Sequence, residues 1–210
     1  MKTNGSLLLV LVVGFLGANA ARADDGWQVH ETSDGLILAT RPVSYSAIDE
    51  VRAAATFELP LEAILAVLAD VEHYPENMPP TSLARRLKGA GHDAWFYMEI
   101  KPGVVSRRYY CTHSRVTRLP ASVVKVEWSP ANDLCPEKQD GMVRMEDNAG
   151  AWTLTPSGDG HTRVVYEAHV DPGGAIPASL VNWGTPAAIN DLFNALRHAA
   201  ERGQVTAARN

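Results

Sequence analysis

Apolar and polar residues alternate along several short stretches and recur at helical spacing in two others. From Ile48 to Leu59, Val51, Ala53, Ala55 and Phe57 stand opposite Arg52, Ala54, Thr56 and Glu58, the period-two pattern of a half-buried strand. The stretch from Arg163 repeats it, with Val164, Tyr166, Ala168 and Val170 on one face, until Pro172-Gly173-Gly174 breaks the run. Residues 36–41 predict another strand, and further candidates lie at 82–88, 94–101, 105–117, 123–128, 142–146 and 150–155. The segments between them, such as Gly89 to Gly91, Pro102-Gly103 and Leu119-Pro120, have turn composition at hairpin spacing, for about nine strands in all.

Helical spacing appears twice. Pro60 can open a helix over residues 61–68, with Ile64, Leu65 and Leu68 on one side. The longer run, Pro177 to Arg202, places Leu180, Trp183, Ala187, Leu192, Phe193, Leu196 and Ala199 on an apolar side, and Asn190, Asn194, Arg197 and Glu201 opposite. Small residues there, including Ala187, Ala188, Ala195 and Ala199, would leave room for a guest between helix and sheet. Pro186, close to Gly184, marks a weak point that is either a hinge or a static kink. Residues 70–80 carry three prolines and predict a loop or broken helix, and Trp27 to Glu31 a short amphipathic turn. An α+β fold follows, an antiparallel sheet curled against one long C-terminal helix.

Composition narrows the class. The chain has 210 residues, enough for one domain, here 24–204 followed by a flexible tail at 205–210. Its net charge of -5 argues against nucleic acid as a partner. Lys2 followed by the apolar run Leu7 to Leu16 and small-residue sites at Ala18-Asn19-Ala20 and Ala21-Arg22-Ala23 reads as a signal peptide over residues 1–23, cut after Ala20 or Ala23. A periplasmic or secreted monomer is the expectation. Such a compartment permits a disulfide, and Cys111 and Cys135 are the two cysteines, one in a predicted strand and one in a loop.

Searches for catalytic motifs find no G-x-S-x-G, phosphate-cradling glycine loop, H-E-x-x-H or C-x-x-C, and the seven histidines show no compact metal spacing. No metal, cofactor or catalytic residue is assigned. Two charged residues stand out. Glu99 shares a strand face with Trp95 and Tyr97, and Arg108 shares one with Ser106, Tyr110 and Thr112. If both faces point inward, Glu99 and Arg108 form a buried ion pair for polar recognition; otherwise both sit on an exposed sheet face.

Several spaced stretches carry a resemblance. These are D-G-L-I-L-A-T-R-P (34–42), L-A-D-V-E-H-Y-P (68–75), G-A-W-T-L-T-P (150–156) and V-V-Y-E-A-H-V-D-P-G-G-A-I-P-A-S-L-V-N (164–182). Together they resemble the START lipid-transfer domains of the Bet v 1-like helix-grip superfamily, over nearly all of the chain after the signal peptide. The family signature P-W-P-x-S-x-R-D falls on Pro102 to Tyr109, where Pro102, Ser106 and Arg108 match while Gly103, Val104 and Tyr109 depart. The resemblance implies a sheet gripping the C-terminal helix around a tunnel for one lipid or sterol-like molecule. The helix and the 129–141 loop would form its entrance, with transient membrane contact. The resemblance makes Arg108 the head-group anchor with Glu99 as its partner, and the strand and helix faces add Tyr97, Tyr110, Trp183, Ala187 and Phe193 as expected ligand contacts. Binding without catalysis is the expected function; a cyclase or aromatase of the same superfamily and a ligand-free interaction module are the alternatives.

Overall fold

The alternating stretches are strands of one sheet. The computed structural model describes residues 26–31, 35–103, 105–137 and 139–207, and the segment read as a signal peptide lies outside them. In chain order the strands are β1 (Gln28–Glu31), β2 (Ile37–Val43), β3 (Ser46–Phe57), β4 (Thr81–Ala90), β5 (Asp93–Ile100) and β6 (Arg107–Arg118). They continue with β7 (Val124–Pro130), β8 (Met142–Arg144), β9 (Asp147–Pro156) and β10 (Thr162–Asp171). The helices are α1 (Leu61–Ala69), α2 (Tyr74–Asn77) and α3 (Ala178–Ala207). The curved sheet runs β1-β2-β3-β10-β9-β7-β6-β5-β4 with antiparallel neighbours, and the short β8 joins β6 in parallel. Residues 28–31, read above as a turn, are the edge strand β1, because Gln28 to Glu31 pair with Thr40 to Ile37.

Alternate residues of the central strands face the helices. Leu38, Ala53, Phe57, Leu154 and Val164 pack with Ile64 and Leu68 of α1 and Phe193 and Leu196 of α3 into the main core. Burial of each of the larger side chains stabilises the fold by roughly 1.5–3 kcal/mol. Phe193 is central, with its ring edge-on to Phe57 at 6.2 Å and tilted against Trp152 at 5.3 Å.

The inward stripe of α3 is Ile189, Phe193, Leu196 and Ala200. Two residues along a helix rotate the side chain by about 200°, so Ala187 points away from Ile189. Ala187 and Ala188 are exposed, Leu180 is 52% exposed and Trp183 is 81% exposed. Trp183 and Ala187, expected as ligand contacts, therefore face away from the core and do not line the cavity, and the exposed Ala187 and Ala188 make no room for a guest between helix and sheet. The helix continues unbroken through Pro186 and runs to Ala207, through residues expected to be tail, because no second proline follows. Its start is stapled to the β2–β3 hairpin: the Asp49 amide donates to Asn182 Oδ1 at 3.1 Å, and Asn182 Nδ2 donates to the Ala47 carbonyl at 3.2 Å.

On the other face of the sheet, Tyr97, Tyr109, Cys111 and Ala131 form a separate apolar cluster. The Cys111–Cys135 disulfide closes it, with Cα atoms 5.5 Å apart. Tyr109 adds hydrogen bonds from its hydroxyl to the Pro136 and Glu137 carbonyls, each at 3.3 Å. The 129–141 loop thus folds against this outer face, away from the helices.

Candidate functional site

Between the sheet and the helical side lies a cavity of about 220 Å³. Its sheet wall follows strand alternation. Met98 and Ile100 come from β5, Tyr110, Thr112 and Ser114 from β6, and Val126 and Trp128 from β7. Asn148 and Trp152 of β9 and Tyr166 and Val170 of β10 complete that wall. The opposite wall comes from the proline-rich connection, through Val71, Tyr74 and residues 78–81, with Leu192 as the contribution of α3. None of the described residues of the 129–141 loop lines the cavity, and the disulfide and the Tyr109 hydrogen bonds hold its described part on the opposite face, away from the expected entrance.

The register of the β5–β6 hairpin decides the charged residues. It pairs Glu99 with Tyr109 and Ile100 with Arg108. Directly paired residues share a face, so Glu99 and Tyr97 point to the outer side, while Arg108, Tyr110 and Thr112 share the concave side. The expected Glu99–Arg108 pair does not exist. Glu99 instead forms an ion pair with the half-exposed Arg107 and accepts a hydrogen bond from the Tyr97 hydroxyl at 3.0 Å. Tyr97 packs in the outer cluster and Glu99 lies beside it, so neither is a cavity contact. Phe193 belongs to the solid core next to the cavity and does not line it.

Arg108 is buried, at 2% exposure, and no carboxylate pairs with it among the described residues. Its Nε donates to the Pro172 carbonyl at 3.3 Å and its Nη1 to the Ser106 carbonyl. Burial draws its guanidinium below the ordinary arginine value. It sits on the cavity's side of the sheet next to Ile100 and Tyr110, outside the lining. Of the ligand contacts expected from sequence, Tyr110 is the one in the lining.

The polar groups of the cavity form a chain that sequence reading missed. Trp128 Nε1 donates to Asn148 Oδ1 at 2.8 Å, and the Asn148 amide lies close enough to the Tyr110 phenol to draw its pKa down. Burial pushes the Tyr110 phenol up to about 12, against a smaller downward pull from Asn148. Burial also raises Tyr74 and Tyr166, and the neighbouring Tyr110 adds to both shifts. Tyr74 donates its proton to the Leu68 carbonyl at 2.9 Å. Signals for some of these residues were present: Tyr166 alternates with Val164, Trp128 follows Val124 and Val126 by twos, and Thr112 shares the parity of Tyr110. Asn148 fell between two predicted strands that are separated differently in the fold.

Comparison with known proteins places this architecture. The profile of the family described as polyketide cyclase/dehydrase and lipid transport matches residues 57–197. A STAR-related lipid transfer protein from Xanthomonas axonopodis superposes with a TM-score of 0.77 at 26% identity, covering 84% of this chain and 99% of that one. Human StAR-related lipid transfer protein 5 shares the fold, with a TM-score of 0.78 at 16% identity over 86% of this chain and 89% of its own. An uncharacterised protein of Pseudomonas aeruginosa is 26% identical over 93% of this chain and 96% of its own length. With its START-type helix-grip fold and this match over most of its length, the chain belongs to the polyketide cyclase/dehydrase and lipid transport family.

Proposed function

We propose that the protein is exported to the periplasm and there holds one hydrophobic ligand in the cavity, as a binding or carrier protein and not an enzyme. The observation that carries this is the lining itself: apolar and aromatic side chains, a few convergent polar groups and, among the described residues, no charged side chain. Its titratable groups are Tyr74, Tyr110 and Tyr166, all raised by burial and so neutral over the physiological range. A cyclase working by acid–base chemistry calls for a group poised near the operating pH, and these phenols are shifted away from it. Export is supported by the N-terminal apolar run and by a disulfide that needs an oxidising compartment to persist.

The cavity is smaller than the ~300–1,000 Å³ common for small-molecule sites. A slender ligand fits it more readily than a two-chain lipid, unless the proline-rich wall moves outward. Native mass spectrometry of protein purified from the envelope, followed by organic extraction, tests the function. The expected result is one apolar molecule per chain on a polypeptide starting at Ala21 or Asp24. Protein that carries no apolar molecule and takes none up on incubation with membrane extract would refute the binding role, and a retained N-terminus would refute the export.

A further inference from the structure

The family-like arginine and the polar chain in the cavity point to different ligands. Arg108 would attract an anionic head group, but two of its donors are spent on the Pro172 and Ser106 carbonyls and it stands outside the lining. Inside the lining, the polar groups are neutral and donor-rich. Asn148 accepts from the Trp128 indole through its carbonyl oxygen, and its amide stands beside the Tyr110 phenol. The hydroxyl protons of Tyr110 and Tyr166 find no acceptor in any other described residue, and both side chains line the space. Both hydroxyls open on the cavity and are not sealed off from it, so two unused donors facing one space are available to an acceptor brought by the guest.

We propose that the ligand is an uncharged, slender amphiphile whose single hydroxyl or carbonyl oxygen is held between Tyr110 and Tyr166, with Asn148 and Trp128 fixing the position of Tyr110. This rests on the binding role proposed above and adds the class of ligand. Asn148 supplies the orientation: it accepts from the Trp128 indole, which links β7 and β9, and its amide stands beside the Tyr110 phenol of β6. A neutral oxygen accepts from both phenols without bringing charge into the site. A carboxylate would leave water for a lining with no cation and gain two neutral donors in return, a poor exchange. A plain alkane would leave both phenols unpaired.

The test uses the full mature protein and three matched compounds, 1-decanol, decanoate and decane, at pH 8. Binding is read from the fluorescence of the lining residues Trp128 and Trp152 and checked by native mass spectrometry. Decanol is expected to bind about tenfold more tightly than decane, the worth of roughly one net hydrogen bond, and at least as far ahead of decanoate. Tyr110→Phe and Tyr166→Phe remove one hydroxyl each with the ring retained, and each should collapse the preference for decanol over decane. The outward-facing variant Arg107→Ala should keep it. Decanoate binding as tightly as decanol would overturn the proposal and return the head group to Arg108. Equal binding of decanol and decane would overturn the role of the two phenols. If none of the three binds, the cavity is not a hydrophobic site and the function proposed above fails as well.

Discussion

Trp128 lies against the backbone of Gly150. A Cβ added to Gly150 would come within 2.5 Å of the Trp128 ring and 2.4 Å of the Glu167 carbonyl. These residues are direct partners across β7 and β9, and Trp128 also stacks on Tyr166 with ring centroids 5.6 Å apart. The missing side chain is thus what lets the indole reach Asn148. Gly150→Ala should cost about 1–3 kcal/mol through overpacking. It should also weaken ligand binding, since Trp128 must leave its hydrogen bond. Urea denaturation and ligand titration of the same variant check both effects, and a neutral outcome would mean that the ring has another place to go.

Arg107 and Arg108 should separate cleanly in stability. Arg107 is half exposed while the Glu99 side chain it pairs with is 12% exposed, so water screens one end of the pair, and a double-mutant cycle should give a coupling of about 1 kcal/mol. Arg108→Met keeps the apolar stem but leaves the Pro172 and Ser106 carbonyls without their donor, at a cost of about 1–3 kcal/mol. Equal losses at the two positions in chemical denaturation would contradict the register of the β5–β6 hairpin.

Thiol labelling of the exported protein should find no free cysteine until reductant is added. The bond spans 24 residues, and in the chain-entropy account a loop of that size stabilises by about 3–4 kcal/mol. Reduction should lower the denaturation midpoint accordingly. Labelling of both cysteines without reductant would show that the bond does not form in the cell.

Alkaline pH should unfold the protein through its cavity. The Tyr110 phenol titrates near pH 12 in the fold, against about 10 in an unfolded chain. A group whose folded pKa is raised binds its proton more tightly in the native state, so its contribution is complete below pH 10 and is lost as pH rises towards 12. Tyr74 and Tyr166, raised in the same direction by burial, steepen the loss. Phenolate absorbance and circular dichroism followed together should change in one transition. Ionisation of all the tyrosines near pH 10 with the fold intact would show that these phenols are not desolvated.

Much of the scaffold was legible from alternation, because a half-buried strand has to repeat every two residues. The same rule put Tyr110 and Thr112 with Arg108, and that shared face is the one the structure shows. Pairing between strands was another matter. Whether Glu99 meets Arg108 or Tyr109 depends on how residues 101–106 turn, and one residue of difference moves every side chain to the other face. Helix orientation failed for a related reason. Leu180 and Trp183 fit an apolar stripe on paper, but the Asn182 staple fixes the rotation of α3 and leaves both outside. Asn148 was invisible because an asparagine inside a strand runs against propensity, and only the partners across the cavity explain it.

The disulfide does more than resist unfolding. Strand β6 alternates two duties, with Tyr110 and Thr112 in the cavity wall and Tyr109 and Cys111 in the outer cluster. Such a strand could in principle slide by one residue and exchange its two faces. With Cys111 bonded to a loop on the outer side, the strand cannot shift without tearing that bond, and the Tyr109 hydroxyl grips the same loop. The bond acts as a ratchet stop placed on the back of the wall, and it keeps the front of that wall aimed at the ligand.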